Sequence, residues 1–502
     1  MADLLSRERI IAPPGFNRWL VPPAALAIHL SIGMAYGFSV FWLPLSRAIG
    51  ITQSAPGDWK ISTLGWMYTL FFVMLGSSAA IFGPWVEREG PRKAGVVAAC
   101  CWGGGFFLAA IGVYVHQIWL LWLGAGVIGG CGLGLGYISP VSTLIKWFPD
   151  RRGMATGLAI MGFGGGAMIG TPLADVLMRR FSTPSSVGVW QTFVVMGVLY
   201  TAAMLAGAFG YRLPAPGWKP AGWTPPVERT SDGSVRAVPV QVAWTTRQFW
   251  LLWAVLCLNV TAGIGILGMA SPMIQEVFKG RVSASAAAGF AGLLSLFNIG
   301  GRIFWASLSD RIGRKPTYAV FFLLGMLLYA SVPAAGSSGS LLLFVAIFCV
   351  VLTMYGGGFA TIPAYLADLF GVQHVSAIHG RLLTAWSTAG ILGPVLVNYI
   401  REFQIGRGVA ASDAYTFTMY VLVGLLAVGF FCNLAVTPVS PALFTLSTQS
   451  APRESPAAAV SARGQVVASG HWAAGAAAWS LASVPLAWGV FRTLTLASQM
   501  FR

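Results

Sequence analysis

A single arginine, Arg302, lies within the otherwise uncharged and largely apolar run SLFNIGGRIFWASL. At helical spacing, Ser295, Asn298, Trp305 and Ser309 share its face, which makes that face unusually polar or aromatic. A guanidinium in a cavity of low dielectric constant offers a planar fork that matches a carboxylate, and the pair is stronger there than in water. The spacing therefore predicts an anion-binding face. The structural alternative is an arginine that extends along the helix toward water.

The acidic residues supply no obvious counter-charge for Arg302. None of the fifteen lies near the middle of an apolar stretch, and Asp175, Glu276 and Asp368 lie only at the ends of such stretches. A charged residue inside a membrane segment marks a substrate pathway by default. We therefore expect a bound anion to balance Arg302. The lack of a central carboxylate also argues against proton symport, and leaves protons carried by histidine or with the anion as an alternative.

The residues that usually form catalytic or metal sites show no such arrangement. The five histidines are scattered, without a nucleophile–base pair or metal-ligand spacing. All six cysteines lie in apolar stretches and lack paired spacing. We therefore predict neither enzymatic activity nor a cofactor or metal ion.

Long apolar helices must position Arg302. Of the 502 residues, 56% are hydrophobic and 9% are charged, whereas soluble domains carry about 25% charged residues. Stretches of about 20 apolar residues, enough to cross a bilayer as a helix, recur along the chain. We identify twelve, at residues 22–46, 62–83, 94–114, 118–146, 153–178, 189–211, 248–276, 285–308, 316–334, 341–367, 376–400 and 415–437. The predicted fold is an all-α, multi-pass membrane protein.

Most of the basic residues behind the net charge of +16 lie in alternate loops. Because positive charge accumulates in cytoplasmic loops, this pattern predicts a cytoplasmic N-terminus in a cell (inner) membrane. It gives no reason to expect nucleic acid as a partner. The first apolar stretch has no evident cleavage site after it, so we expect it to remain as a membrane helix.

Two similar loops divide the main body into two halves. GPWVEREGPRK follows the second apolar stretch, and ASLSDRIGRK follows the eighth. The candidate loop residues are Gly83, Glu87, Arg88, Gly90 and Arg92 in the first loop, and Asp310, Arg311, Gly313 and Arg314 in the second. Repeats of six helices have the same orientation, and the solute site is expected near mid-membrane between them. We predict halves at residues 1–211 and 248–438, joined by a polar cytoplasmic linker at 212–247.

These loops resemble the signature loop of the major facilitator superfamily. Three longer strings, at residues 134–170, 355–371 and 379–397, are similar to the oxalate/formate antiporter family within it. The resemblance implies a twelve-helix transporter of two parallel halves that moves small carboxylate anions, by exchange or by a related cycle. In the first string, the glycines of residues 162–170 also predict tight helix contacts.

The resemblance also implies roles for individual residues. Arg302 lies where antiporters of this family keep a substrate-binding arginine in helix 8. Oxalate carriers of the family pair it with a lysine in helix 11, a position that Trp386 occupies here. Because one cation would face the substrate, we expect preference for a monocarboxylate of the formate or pyruvate type. Alternatively, Trp386 only packs, or Arg381 restores the second charge, although Arg381 lies near the cytoplasmic start of helix 11.

Aromatic residues of the central helices complete the predicted site. Tyrosine hydroxyls can donate to a carboxylate while their rings exclude water. Besides Arg302 and Trp386, the candidate substrate contacts are Asn298, Trp305, Tyr36, Tyr137, Tyr355 and Tyr365. Interfacial or packing roles are the alternative for each tyrosine.

The composition changes after the twelfth stretch. Residues 439–470 are rich in Ala, Ser and Pro, which predicts a flexible linker. Residues 471–494 are apolar again, and SVPLAWGVFRTL within them resembles the one-helix small companion protein encoded with some members of the antiporter family. We predict a thirteenth membrane helix with the C-terminus outside. An interfacial amphipathic helix is the alternative.

Other functions are open to a transporter-like chain. They are oxalate/formate dicarboxylate antiport, transport of a different solute such as a drug or sugar, and sensing of carboxylate anions without flux. The partners that we expect are the lipid bilayer and a small carboxylate anion, and we expect the protein to act as a monomer.

Overall fold

The computed structural model describes residues 2–150, 152–215, 218–223, 235–371, 375–447 and 471–501. Within these ranges, twelve helices are long and apolar enough to cross a membrane, which confirms the predicted number of spans. A further helix follows near the C-terminus, as predicted. The helices are α1 (Arg18–Leu45), α2 (Ile61–Glu89), α3 (Pro91–Tyr114), α4 (Ile118–Leu121, Trp122–Gly129 and Gly130–Trp147), α5 (Arg152–Phe181), α6 (Val189–Gly210), α7 (Arg247–Val277), α8 (Ala284–Ile312), α9 (Arg314–Ser337), α10 (Leu341–Phe370), α11 (Val375–Leu382 and Thr384–Gly406), α12 (Thr416–Leu434) and α13 (His471–Ser498).

The two signature-like loops have the same backbone geometry. Gly90 ends α2 with φ 93° and ψ 162°, and Gly313 ends α8 with φ 90° and ψ 158°. Each glycine also immediately precedes the next helix, α3 or α9. A side chain is strained at such positive φ, so glycine permits the chain to reverse between two membrane helices there. The matched angles support the internal repeat.

Cations of these loops bind neighbouring helix ends. Arg92 donates to the carbonyls of Leu4, Phe209 and Tyr211 at 3.1–3.2 Å. Arg314 pairs with Asp310 and, at 3.4 Å, with Asp368 at the end of α10. These contacts tie each loop to the end of another helix in its own half.

The remaining loop residues are less constrained. Arg88 and Arg311 are exposed, and the Glu87 side chain lies outside the described part of the structure. Hydrogen bonds from Lys93 and Arg88 hold the pKa of the partly exposed Glu89 carboxyl below its ordinary value. Arg88 therefore contacts a carboxylate next to it in sequence.

The two halves meet through polar contacts at the end of the bundle opposite the signature loops, which we call the opposite end. α1 and α2 contact α7 and α11 there, and α5 contacts α8. The hydrogen bonds run from Trp42 Nε1 to the Gly268 carbonyl (2.6 Å), from Trp66 Nε1 to the Tyr399 hydroxyl (2.8 Å), from the Thr171 hydroxyl to the Ala288 carbonyl (2.9 Å) and from the Ser285 hydroxyl to the Asp175 carboxylate (2.8 Å). These contacts close the opposite end.

Glycines bring α1 and α5 into close contact near mid-membrane. α1 changes to a 3-10 helix over Gly33–Phe41. A Cβ atom on Gly166 of α5 would lie 2.4 Å from the Cα atom of Gly33, so no larger residue fits at that contact. Tight helix contact is therefore present within residues 162–170, where the glycine string predicted it.

The linker contains short regular segments, which its polar composition did not predict. Strand β1 (Val235–Ala237) pairs antiparallel with β2 (Thr445–Ser447), so the linker joins the chain that follows α12. Linker residues 216–217 and 224–234, and residues 448–470 of the predicted flexible linker, lie outside the described residues. Short helical turns occur at Ala2–Leu5, Glu8–Ile10, Val240–Ala243, Pro441–Leu443 and Gln499–Phe501.

Candidate anion-binding site

Arg302 points into the boundary between the two halves. The side chain belongs to α8 of the second half, and the residue is 4% exposed. Its Nε atom donates to Asn298 Oδ1 at 3.0 Å, one helical turn earlier. Across the boundary lies Gly164 of α5, where an added Cβ atom would come within 3.1 Å of Arg302 Nε. The guanidinium is therefore buried against the first half, away from lipid and from the signature loops.

Three buried donors in this region lack hydrogen-bond partners within the described protein. They are Arg302 Nη1, Asn298 Nδ2 and Trp386 Nε1. Buried polar groups in proteins are normally paired, so a set of unpaired donors calls for a ligand or water. All three atoms donate, and one belongs to a permanent cation. This set fits an acceptor-rich anion such as a carboxylate.

Aromatic rings from both halves surround these donors. Phe359 of α10 lies 5.6 Å from Arg302 Cζ, measured to the ring centroid, and 4.5 Å from the Trp386 ring. The Trp386 ring in turn lies 5.4 Å from Tyr137 of α4 and 5.6 Å from Phe163 of α5. These rings exclude water from the guanidinium and so strengthen any charge pairing that forms there.

Two tyrosines complete the ring of aromatic residues. The Tyr355 hydroxyl of α10 donates to the Tyr36 hydroxyl of α1 at 3.0 Å, and the two rings meet edge to face. We call Tyr36, Tyr137, Phe163, Arg302, Tyr355, Phe359 and Trp386, together with Asn298, the central cluster.

The structure thus brings together six of the residues predicted from sequence and separates two others from them. Trp305 Nε1 donates to the Thr353 hydroxyl at 3.0 Å, and its ring packs on Phe321. Three residues along a helix leave Trp305 about 60° around the axis from Arg302, which turns it toward α9 and α10. The Tyr365 hydroxyl lies 3.5 Å from Asn433 of α12. Both residues pack inside the second half and lie apart from the central cluster.

Arg381 also lies apart from the central cluster. Its guanidinium donates to the Val240 carbonyl at 3.1 Å and to Gln241 Oε1 at 3.2 Å, and it lies 5.2 Å from the Trp244 ring. These contacts join α11 to the linker. Arg381 therefore adds no second positive charge beside Arg302.

Sequence reasoning missed several members of the site. Phe163 and Phe359 are apolar, and their spacing does not distinguish a site wall from ordinary core. The glycine string predicts only helix packing for Gly164, yet this residue leaves room for Arg302, and its carbonyl accepts a hydrogen bond from the Ser295 hydroxyl. His29 stacks on Tyr137 with the ring centroids 5.5 Å apart. The glycine-rich run that contains Gly164 is the sequence signal that points to this boundary.

Comparison with known proteins agrees with this architecture. Residues 15–394, well over half of the chain, match the Major Facilitator Superfamily. The chain belongs to the major facilitator superfamily. This match confirms the predicted class of fold. Proteins of this superfamily are membrane transporters rather than enzymes.

Relatives within the superfamily are distant in sequence. The oxalate:formate antiporter of Oxalobacter formigenes is 26% identical over 383 residues, which cover 75% of this chain and 83% of that protein. Apicoplast pyruvate carrier 1 of Toxoplasma gondii is 24% identical over 448 residues, covering 78% of each chain. A solved bacterial homologue of the human lysosomal transporter Spinster superposes with a TM-score of 0.63 at 16% identity, covering 84% of this chain and 98% of that one.

Proposed function

We propose that this protein exchanges small monocarboxylate anions, of the formate or pyruvate type, across the cell membrane by alternating access. One observation carries the proposal. Arg302 is a buried cation at the boundary of the two halves, and donors beside it lack protein partners. A carboxylate would accept from these donors and neutralise the guanidinium. The anion would be the counter-charge that the described protein does not supply.

The number of cations supports a monocarboxylate. Trp386 lies across Phe359 from Arg302, at a place where a second cation would reach a second carboxylate. An indole offers one N–H donor and no charge. The pyruvate carrier among the relatives is consistent with this substrate class. Oxalate/formate exchange is the main alternative, because a relative with that name matches a similar share of the chain.

Charge neutralisation would couple binding to movement. An empty site closed on both sides leaves Arg302 as an uncompensated buried charge, which is costly. A bound carboxylate removes that cost, so the closed intermediate is stabilised only when the site is occupied. A ligand shifts a conformational equilibrium by its difference in affinity for the two states. The empty carrier therefore changes slowly between its inward-open and outward-open states, which favours exchange of one anion for another.

The predicted topology completes the proposal. The N-terminus and the signature loops face the cytoplasm of a cell (inner) membrane, so the opposite end faces outward. Polar contacts between Ser285 and Asp175 and between Trp42 and Gly268 would then form the outer gate. One chain contains both halves and the central cluster, which supports a functional monomer.

Reconstituted flux tests the proposal. Purified protein in vesicles loaded with unlabelled formate or pyruvate is expected to take up the labelled anion, with oxalate a poor substrate. Arg302→Gln should abolish uptake, whereas Arg381→Gln, which removes an arginine outside the central cluster, should retain it. Undiminished uptake by Arg302→Gln would remove Arg302 from the site. Efficient oxalate exchange with monocarboxylates ignored would refute the monocarboxylate preference.

A further inference from the structure

The C-terminal helix α13 packs along the seam between the two halves. Its buried or half-buried residues recur every three or four positions, which gives it one protein-facing stripe. The stripe comprises Gly475, Trp479, Ala482, Leu486, Gly489, Thr493, Leu496 and Met500. Residues between them, such as Leu481, Val484 and Phe491, are exposed. Such a pattern fits a helix with one face on protein and the other in lipid.

Thr493 contacts both halves at once. Its hydroxyl donates to the Met168 carbonyl of α5, in the first half, at 2.9 Å. A Cβ atom on Gly292 of α8, in the second half, would lie 2.5 Å from the same hydroxyl oxygen. Thr493 is fully buried. One side chain of α13 is therefore fixed between the two bodies that alternating access moves apart.

Glycines on both partners allow α13 to approach closely. A Cβ atom on Gly289 of α8 would lie 2.4 Å from the Ala497 backbone nitrogen. A Cβ atom on Gly489 of α13 would lie 2.7 Å from Ile169 Cγ1 of α5. Close backbone approach through small residues is how helices associate in lipid, where no hydrophobic force drives them together.

α13 extends over the height of the bundle. Trp479 Nε1 donates to the Trp19 carbonyl at 3.0 Å, where α1 begins near the signature-loop end. Ala497 contacts Gly289 near the start of α8, at the opposite end. A helix of 28 residues is about 42 Å long, which exceeds the roughly 30 Å hydrocarbon layer. These contacts favour a membrane span over an interfacial helix.

We infer that α13 is an intramolecular brace, which spans the membrane and holds α5 and α8 together at the opposite end. The inference rests on the alternating access of the proposed function. Thr171 bonds to Ala288 and Ser285 to Asp175 close to the brace. When α5 and α8 separate there, α13 loses its contacts with one of them. Docked α13 therefore stabilises the state that is closed at the opposite end. It slows the transition to the state that is open there, and so slows transport.

A distance measurement without substrate tests the brace. Spin labels are placed at Ser182→Cys after α5 and Lys279→Cys before α8, in a chain freed of its native cysteines. Gly489→Leu is expected to displace α13 and to increase the longer-distance fraction. Ala487→Leu makes a comparable enlargement on the exposed face of α13 and should leave the distribution unchanged.

A chain that lacks residues 448–502 provides the second variant. It is expected to show the same increase in the longer distance as Gly489→Leu. An unchanged distribution in this truncated chain overturns the inference, as does an equal shift in Ala487→Leu. Because no anion is present, failure of the Arg302-dependent flux assay would refute the proposed substrate without altering this result.

Discussion

Replacing Trp386 with lysine tests the physical basis of substrate selection. Arg302 Cζ lies 5.6 Å from the Phe359 centroid, and the Trp386 ring lies 4.5 Å from it. A cation at residue 386 would therefore lie within about 10 Å of Arg302, with a repulsion on the order of 2 kcal/mol at an effective dielectric constant near 20. A dicarboxylate would satisfy both cations. A monocarboxylate would leave one unpaired.

The magnitude follows from the added hydrogen bond. A charge-assisted bond contributes about 1.5–3 kcal/mol, and each 1.4 kcal/mol is tenfold in affinity. We therefore expect Trp386→Lys to change the ratio of oxalate to pyruvate exchange by roughly 10- to 150-fold toward oxalate. The assay is competitive inhibition of labelled uptake in vesicles by each unlabelled acid.

Two controls make this result interpretable. Trp386→Phe keeps an aromatic ring without adding charge, and it should retain the wild-type order of substrates. Losing the indole from the core costs about 3–5 kcal/mol, so thermal unfolding must show that Trp386→Lys remains folded. A folded Trp386→Lys protein with the wild-type order of substrates would refute the reasoning.

Two further predictions concern other parts of the chain. Gly164→Leu should abolish carboxylate uptake in vesicles, because a Cβ atom at residue 164 would already lie 3.1 Å from Arg302 Nε. Gly157→Leu, in open space on the same helix, should retain uptake. Equal uptake by the two variants would contradict the proposed position of the site. Asp58 lies in the loop after α1. Partial burial raises the pKa of its carboxyl, but hydrogen bonds from the backbone N–H groups of Ala55, Ile49 and Gly50 together lower it by more, so the net pKa is below the ordinary value. The contribution of the Asp58 carboxylate to stability is therefore present above pH ~4 and lost as the pH falls through the lowered pKa. The difference in thermal unfolding temperature between wild type and Asp58→Asn should shrink on acidification. A difference that stays constant with pH would contradict this prediction.

The fold was largely predictable because a bilayer imposes length and polarity on each span. Hydropathy identifies the twelve helices, and the repeated glycines Gly90 and Gly313 mark equivalent reversals in the two halves. The short β1–β2 ladder was not predictable, because its residues belong to polar segments distant in sequence. The docking of Arg381 on the linker depends on the same long-range contacts.

Arg302 made the position of the site predictable, and five uncharged polar or aromatic neighbours were predicted with it. An arginine in an apolar helix marks a boundary that is not lipid, and Arg302 lies at such a boundary. Helical spacing alone places Trp305 on the same face as Arg302, whereas in the structure Trp305 Nε1 donates to the Thr353 hydroxyl. Phe359 was missed because a phenylalanine in a site and one in a core have the same sequence appearance.

Anion binding to purified protein tests the central claim most directly. The dissociation constants of pyruvate and formate are measured by calorimetry for the wild type, Arg302→Gln and Arg381→Gln. Truncating one partner of a buried charge pair costs about 2–5 kcal/mol, so Arg302→Gln should weaken binding by at least roughly 30-fold, while Arg381→Gln binds as the wild type does. Equal affinity in wild type and Arg302→Gln would contradict the account.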